Sequence, residues 1–398
     1  MKSPRNWWQP PTLHGAGEGT RRVTWLELFY DLVFVVVISR LAHHLGAHPD
    51  WGGVRDFVTL FIPVWWVWTS ATYYNERFET FDLSFRLFVF LQMLTVAAMA
   101  ASAEDGLGKT ATAFALSYVA ARALVVGLWL RAGYYNPQVR PVTTIFAVGF
   151  SLGLGLWLLS AFMPPALAWP LRMLGTLLEV GTPLLTFHLQ SRVFTAAASK
   201  LPERHGLFVL IVLGESLIGV IGGLSGAQVL DLAALLRAVT GLGVGFLLWW
   251  IYFDFVGRRE PVSGAGKAWS LAGWSYLHLP LVLGLAAIGA MLQHAVLGGE
   301  TGGGGEAVSW ILAGAFALVY VCLALIEGLL EPEARPLIAA RNIVTLRLIT
   351  AASALLLALM GLPPVGVALG LVALQSLHAV VGLRAWFASE HAGRSDVH

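Results

Sequence analysis

The sequence predicts an all-α, polytopic membrane protein: a transmembrane helix bundle of about 12 helices, arranged as two parallel six-helix repeats. Three observations predict it. Charged residues make up 12% of the 398 residues and hydrophobic ones 57%, whereas a typical soluble domain is about 25% charged. The mean hydropathy is +0.72. The apolar residues also fall in runs of the length that crosses ~30 Å of hydrocarbon as helix, roughly 20 residues. Finally, Lys and Arg cluster in alternate connections between those runs.

Residues 1–22 are polar and rich in Pro and Gly, with no apolar core before Trp25. They read as a cytoplasmic N-terminal tail, not a cleaved leader, so the first apolar segment is retained as a helix. Twelve spans follow, at roughly 24–45, 53–74, 81–103, 110–131, 142–162, 166–190, 204–223, 232–256, 270–294, 307–330, 344–361 and 364–387. Pro164-Pro165 and Pro363-Pro364 separate the fifth from the sixth and the eleventh from the twelfth. A double proline removes two backbone donors, which suits a tight helical hairpin. The halves are residues 23–191 and 192–388, followed by a cytoplasmic C-terminal tail at 389–398.

With these spans, 17 of the 25 Lys and Arg lie on the side of the N-terminus and only Arg55 and Lys109 on the other. The bias predicts both termini in the cytoplasm of a multi-pass bacterial inner-membrane protein. The net charge of +2 gives no case for nucleic acid. The single cysteine, Cys322, precludes an intrachain disulfide.

A shift of 184 residues places Asp31 on Glu215, Val36 on Val220, Trp65-Trp66 on Trp249-Trp250, Trp68 on Tyr252 and Glu76 on Glu260, without a gap. This internal similarity predicts duplicated halves of like orientation.

The residues able to carry chemistry are acids inside the spans. Glu27 and Asp31 are four apart and share a helix face, Glu27 at headgroup level and Asp31 deeper. Glu215, in Leu213-Gly214-Glu215-Ser216, lies near the middle of the seventh span. Gly214 is expected to let another backbone approach it. Glu179 lies within the sixth span, and Glu203 suits the positive end of the seventh helix. Intramembrane acids cost a few kcal/mol unless paired, protonated or hydrated, so they mark proton or cation sites by default. For Asp31 the alternative is a salt bridge that holds helices together, with Arg86, Arg122 or Arg347 as partner. By the repeat, Asp31 and Glu215 could line one central site. Glu327 and Asp254 are expected to reach the interface.

Trp65, Trp66, Trp249 and Trp250 are candidates to line a solute path, or bulk for packing. Adjacent His43 and His44 point about 100° apart on a helix and make poor co-ligands. No metal or cofactor is expected, and nothing groups His188, His278, His294 or His378. The glycine run at 302–305 lacks the Lys-Ser/Thr that a phosphate loop carries. No nucleophile–base pair or catalytic motif stands out.

Two stretches are specific enough to carry a family resemblance. Arg22-Val-Thr24-Trp25-Leu-Glu27-Leu-Phe29-Tyr30-Asp31-Leu-Val-Phe34, followed by Leu41-Ala42-His43, resembles the opening signature of the bacterial low temperature requirement A (LtrA) proteins. Glu203-Arg204-His205-Gly206-Leu-Phe208 through Leu213-Gly214-Glu215-Ser216 resembles that family's second signature. The resemblance covers nearly the whole chain and implies a bacterial cytoplasmic-membrane protein. It implies no mechanism, because the family is named for a cold-growth phenotype. The expected function is a transporter of a small solute or ion, with the lipid bilayer as its surroundings. A passive ion channel, a membrane-embedded enzyme and a structural component of the envelope are the alternatives.

Overall fold

The computed structural model describes residues 7–13, 24–80, 82–194, 200–227, 229–262, 268–298, 303–331 and 340–395. Most of the predicted N-terminal tail and the loop cations Lys267 and Arg335 lie outside the described residues.

Every predicted span is helical, and all but the sixth are single helices. In order they are α1 (Trp25–Ala47), α2 (Trp51–Arg77), α3 (Leu83–Ser102), α4 (Ala111–Tyr135), α5 (Arg140–Ser160), α6 (Pro165–Leu185), a short α7 (Phe187–Val193), α8 (Leu201–Gly226), α9 (Leu232–Phe255), α10 (Ala268–Leu297), α11 (Gly303–Glu327), α12 (Ala340–Leu359) and α13 (Pro364–Ser395). Among the described residues, nine of these, α3–α5 and α8–α13, are long and apolar enough to cross a membrane. The long helices outside that set are α1, α2 and α6. These are the ones that carry buried Asp31, Thr69, Ser70, Thr72, Arg172 and Glu179.

Local chemistry sets the helix ends. Thr24 and Glu27 form a reciprocal capping box at the start of α1: Thr24 N donates to Glu27 Oε2 at 2.8 Å and Glu27 N to Thr24 Oγ1 at 3.3 Å. Asp82 caps α3 by accepting from Phe85 N, and Asp231 caps α9 by accepting from Ala234 N. Both double prolines act as expected. Pro164 is extended and Pro165 opens α6, while Gly361, at φ +70°, turns the chain after α12 so that Pro364 opens α13.

The predicted span 166–190 is not one helix. It breaks at Thr186, three residues after Pro183, and continues as α7. Pro183 has no N–H to bond the carbonyl of Glu179 one turn earlier, so the ladder fails there. Gln190 Nε2 turns back to bond the carbonyl of Pro183 at 2.7 Å.

The chain divides into two compact units. Unit 1 comprises residues up to His44 together with Arg55–Arg204. In it α3, α4, α5 and α6 pack in sequence, each on the next. The segment Trp7–Leu13 is tied across one end of this unit. Thr12–Leu13 pairs antiparallel with Phe78–Glu79, and the Trp7 carbonyl accepts from Ser84 N. Unit 2 comprises Leu45–Val54 and the residues from His205 onward. In it α13 packs on α9, α10, α11 and α12, and α11 packs on α10 and α12.

Apolar side chains such as Leu152, Leu177, Ile221, Leu232 and Val239 are exposed on helix exteriors, while charged Arg122, Glu179 and Arg347 are buried. Charges are rarely buried unless paired, and these are paired, so the apolar exterior and the long apolar helices decide the surroundings. The chain is therefore a membrane protein whose outward surface meets lipid.

Candidate functional site

In unit 1, α1 turns Tyr30, Asp31 and Phe34 inward and Phe29, Leu32 and Val36 outward. Asp31 is 1% exposed. Its Oδ1 accepts from Trp68 Nε1 on α2 at 2.8 Å and from Arg204 Nη2 at 2.6 Å. Its Oδ2 has no partner. Arg204 stands in the first turn of α8 and is itself buried. Trp68 and Arg204 together give the carboxylate two charge-assisted or strong N–H donors where water is scarce.

A second ion pair lies on α4 and α6. Tyr118, Arg122, Val125 and Trp129 form the inward stripe of α4 at helical spacing. Glu179 Oε2 accepts from Arg122 Nε and, at 2.9 Å, from Tyr118 Oη. All three residues are fully buried. The guanidinium lies 4.7 Å from the ring centre of Phe150 and 5.9 Å from that of Trp66. Gly153 and Gly175 bring α5 and α6 together here, since a Cβ on Gly153 would strike Glu179 Cγ. Tyr30, the residue before Asp31, is also buried, and its hydroxyl has no hydrogen-bond partner.

At the end of unit 1 that carries the Trp7–Leu13 segment, Asp82 Oδ2 accepts from Arg131 Nη2 at 2.8 Å and Gln9 N at 2.8 Å. Ser84 Oγ also donates to it. Burial alone would raise the Asp82 carboxyl. The donors Ser84, Gln9, Phe85 and Arg131 outweigh burial and hold it below the usual carboxylate range.

In unit 2, Glu215 is buried in α8 at a close crossing with α10. A Cβ on Gly289 would lie 2.7 Å from the Glu215 carbonyl carbon and 2.8 Å from its Cβ. Gly214, the expected contact point, has nothing within 4 Å of its Cβ direction. The approach is made by Gly289, on the face that Glu215 and Gly219 share, 100° away from Gly214.

Glu327 is held by two arginines, Arg259 Nη1 at 2.5 Å and Arg347 Nη1 at 3.1 Å. It is buried, not at an interface. Asp254 is more open and pairs with Arg258 at 3.4 Å. A histidine cluster stands nearby in sequence order. His205 Nε2 meets Ser275 Oγ at 3.0 Å, and His278 Nε2 meets Tyr252 Oη at 3.0 Å.

None of the three arginines expected for Asp31 pairs with it: Arg122 holds Glu179, Arg347 holds Glu327, and Arg86 is exposed. Asp31 pairs with Arg204, which the sequence reading placed in a connection. One sequence signal could have found it, since Arg204 sits inside the second signature; the helix starts at Leu201, which puts it within the first turn. Glu27 is committed to the capping box, and Glu203 is exposed. Trp65 and Trp66 are buried, whereas Trp249 is 38% exposed and stacks on Phe246. Among the described residues no cluster of three or more His, Cys, Asp or Glu could hold a metal ion.

A family model described as bacterial low temperature requirement A protein (LtrA) matches residues 22–385. The chain is also similar to Uncharacterized protein RA0937 of Rhizobium meliloti (strain 1021), at 25% identity over 273 residues. That match covers 65% of this chain, and the chain spans 66% of the length of that curated relative.

Proposed function

This chain belongs to the bacterial low temperature requirement A (LtrA) family, and on that premise we propose that it transports a small solute or ion, with buried acids as its proton-sensitive elements. One observation carries the reading. Asp31 is almost wholly buried, and Arg204 and Trp68 hold one of its oxygens while the other has no partner. An ion pair in a low-dielectric interior is held by Coulomb attraction that protonation removes at once. Protonating Asp31 releases Arg204, and a local two-state change of that kind is what alternating access uses. The break in α6 just beyond Glu179 supports the same reading, because broken helices accompany midplane sites in transporters. The distribution of Lys and Arg supports a reading with both termini in the cytoplasm of the inner membrane.

The test is proton flux into proteoliposomes under an imposed membrane potential, read with an internal pH dye. Wild type is compared with Asp31→Asn and Glu215→Gln. The expected result is flux in wild type that both substitutions abolish. Flux equal in all three would remove the acids from the mechanism. No flux above that of empty liposomes would set proton coupling through them aside.

A further inference from the structure

Arg122 is fully buried, and only its Nε is engaged. Its Nη1 and Nη2 have no acceptor. A buried donor left unbonded costs about 1–3 kcal/mol, more when charged, and native proteins keep few of them. Phe150 and Trp66 meet the guanidinium through their rings, 4.7 and 5.9 Å from its carbon, and supply no oxygen acceptor for Nη1 or Nη2. The edge that carries these two nitrogens presents two parallel N–H groups, the fork that binds two coplanar oxygens of one anion.

We propose that Arg122 binds a small monovalent oxyanion of the carboxylate type through Nη1 and Nη2, and that Glu179 takes up one proton as the anion enters. This deepens the transporter reading and rests on it for its physiological meaning. The balance is simple. Before binding, Arg122 is positive and Glu179 negative. Afterwards the anion replaces Glu179 as the counter-charge of Arg122, and Glu179 carries a proton drawn from the aqueous phase. The total charge at the site stays zero throughout. A divalent anion would leave a charge uncompensated in hydrocarbon, and a cation would face the guanidinium, so neither fits.

Among the described residues no second carboxylate bonds to Glu179. The charged or titratable groups that face Glu179 are Tyr118 and Arg122 of α4, with the Trp66 indole from α2. From α5 it meets Gly153, and Trp157 beside it bonds Thr176. On α1, Tyr30 is buried and its hydroxyl has no hydrogen-bond partner. Pro183 leaves the Glu179 carbonyl outside the helical ladder, which gives α6 freedom to move when the pair separates.

The experiment is calorimetric titration of acetate into the full-length protein in nanodiscs, in two buffers of different ionisation enthalpy. Wild type is expected to take up one proton per acetate bound, with affinity rising about tenfold per unit fall in pH while Glu179 is ionised. Glu179→Gln is expected to bind acetate with no proton uptake and no pH dependence. The double variant R122Q/E179Q is expected not to bind. Binding retained in the double variant, or binding by wild type without proton uptake, would overturn the proposal. So would the absence of binding in both wild type and Glu179→Gln. Acetate binding with no flux in liposomes would leave this site standing and sink the transporter reading. Asp31-dependent flux with no acetate binding would do the reverse.

Discussion

Arg204 Nη2 lies 2.6 Å from Asp31 Oδ1, which joins the first turn of α8 to the second turn of α1 across 173 residues of sequence. Both side chains are buried. Removing one partner of such a pair leaves a lone charge out of water, at a cost of about 3–5 kcal/mol, whereas removing both relieves it. Arg204→Gln is therefore expected to lower the unfolding temperature in detergent by more than the double variant D31N/R204Q does. Trp68 donates to Asp31, so its fluorescence should report the loss. Equal and additive losses in the singles and the double would show the two groups to be uncoupled.

Glu27 is bonded to Thr24 at both ends of a capping box, so its role is local. Thr24→Ala is expected to destabilise α1 by about 1 kcal/mol. Glu27→Gln keeps an acceptor for Thr24 N and should cost less. Ion flux through liposomes should be insensitive to Glu27→Gln, and a flux lost with that change would return Glu27 to the ion path.

Asp82 gives the chain an acid-sensitive fastening. Its carboxyl is held below the usual range, so it binds protons more weakly folded than unfolded. Its contribution is thus complete above the unfolded value of about 3.9 and lost as pH falls through the lower folded value. Asp82→Asn keeps an acceptor for Phe85 N but gives up the charge facing Arg131. It is expected to lower the unfolding temperature at pH 7 and to flatten its decline below about pH 4. An unchanged acid limb would show that Asp82 is not the group responsible.

At the α8–α10 crossing the two nearby glycines should behave in opposite ways. Gly289→Ala drives a methyl into the Glu215 backbone and is expected to cost about 1–3 kcal/mol. Gly214→Ala enters open space on a helix and is expected to be neutral or to stabilise by about 0.5–1 kcal/mol. Thermal unfolding of the two variants side by side decides it. Equal losses would mean that the crossing is not set by Gly289.

The architecture was legible because hydropathy and proline are local signals. All twelve spans, and both turns at Pro164-Pro165 and Pro363-Pro364, came from runs of residues that act on their neighbours. The contacts at the site were not local. Asp31 and Arg204 are paired through folding, and one sequence holds no record of which of 25 cations an acid will meet. Gly214 looked like the close contact because it adjoins Glu215 in sequence, but a helix turns neighbours 100° apart and the contact came from α10. Glu179 with Arg122 was within reach, since both were visible as buried charges. Tyr118, their third partner, lies one helical turn before Arg122 and was overlooked because a tyrosine in an apolar span carries no charge to notice. The break in α6 was also written in the sequence as Pro183, and the apolar run on either side masked it.

Pro183 offers the most direct link between that break and movement. It withholds the N–H that would bond the Glu179 carbonyl, and α6 ends two residues later. Pro183→Ala restores a donor at a position whose flanking residues are already helical. It is expected to stabilise the α6–α7 stretch, and amide exchange at residues 183–190 should slow. If α6 must flex for Glu179 and Arg122 to separate, the same substitution should reduce flux several-fold while acetate binding by the Glu179→Gln background stays intact. Stiffening a hinge hinders the conformational step and leaves a preformed anion contact in place. Slower exchange with undiminished flux would show that the break is a packing adjustment to the close approach of Gly153 and Gly175, with no part in the cycle.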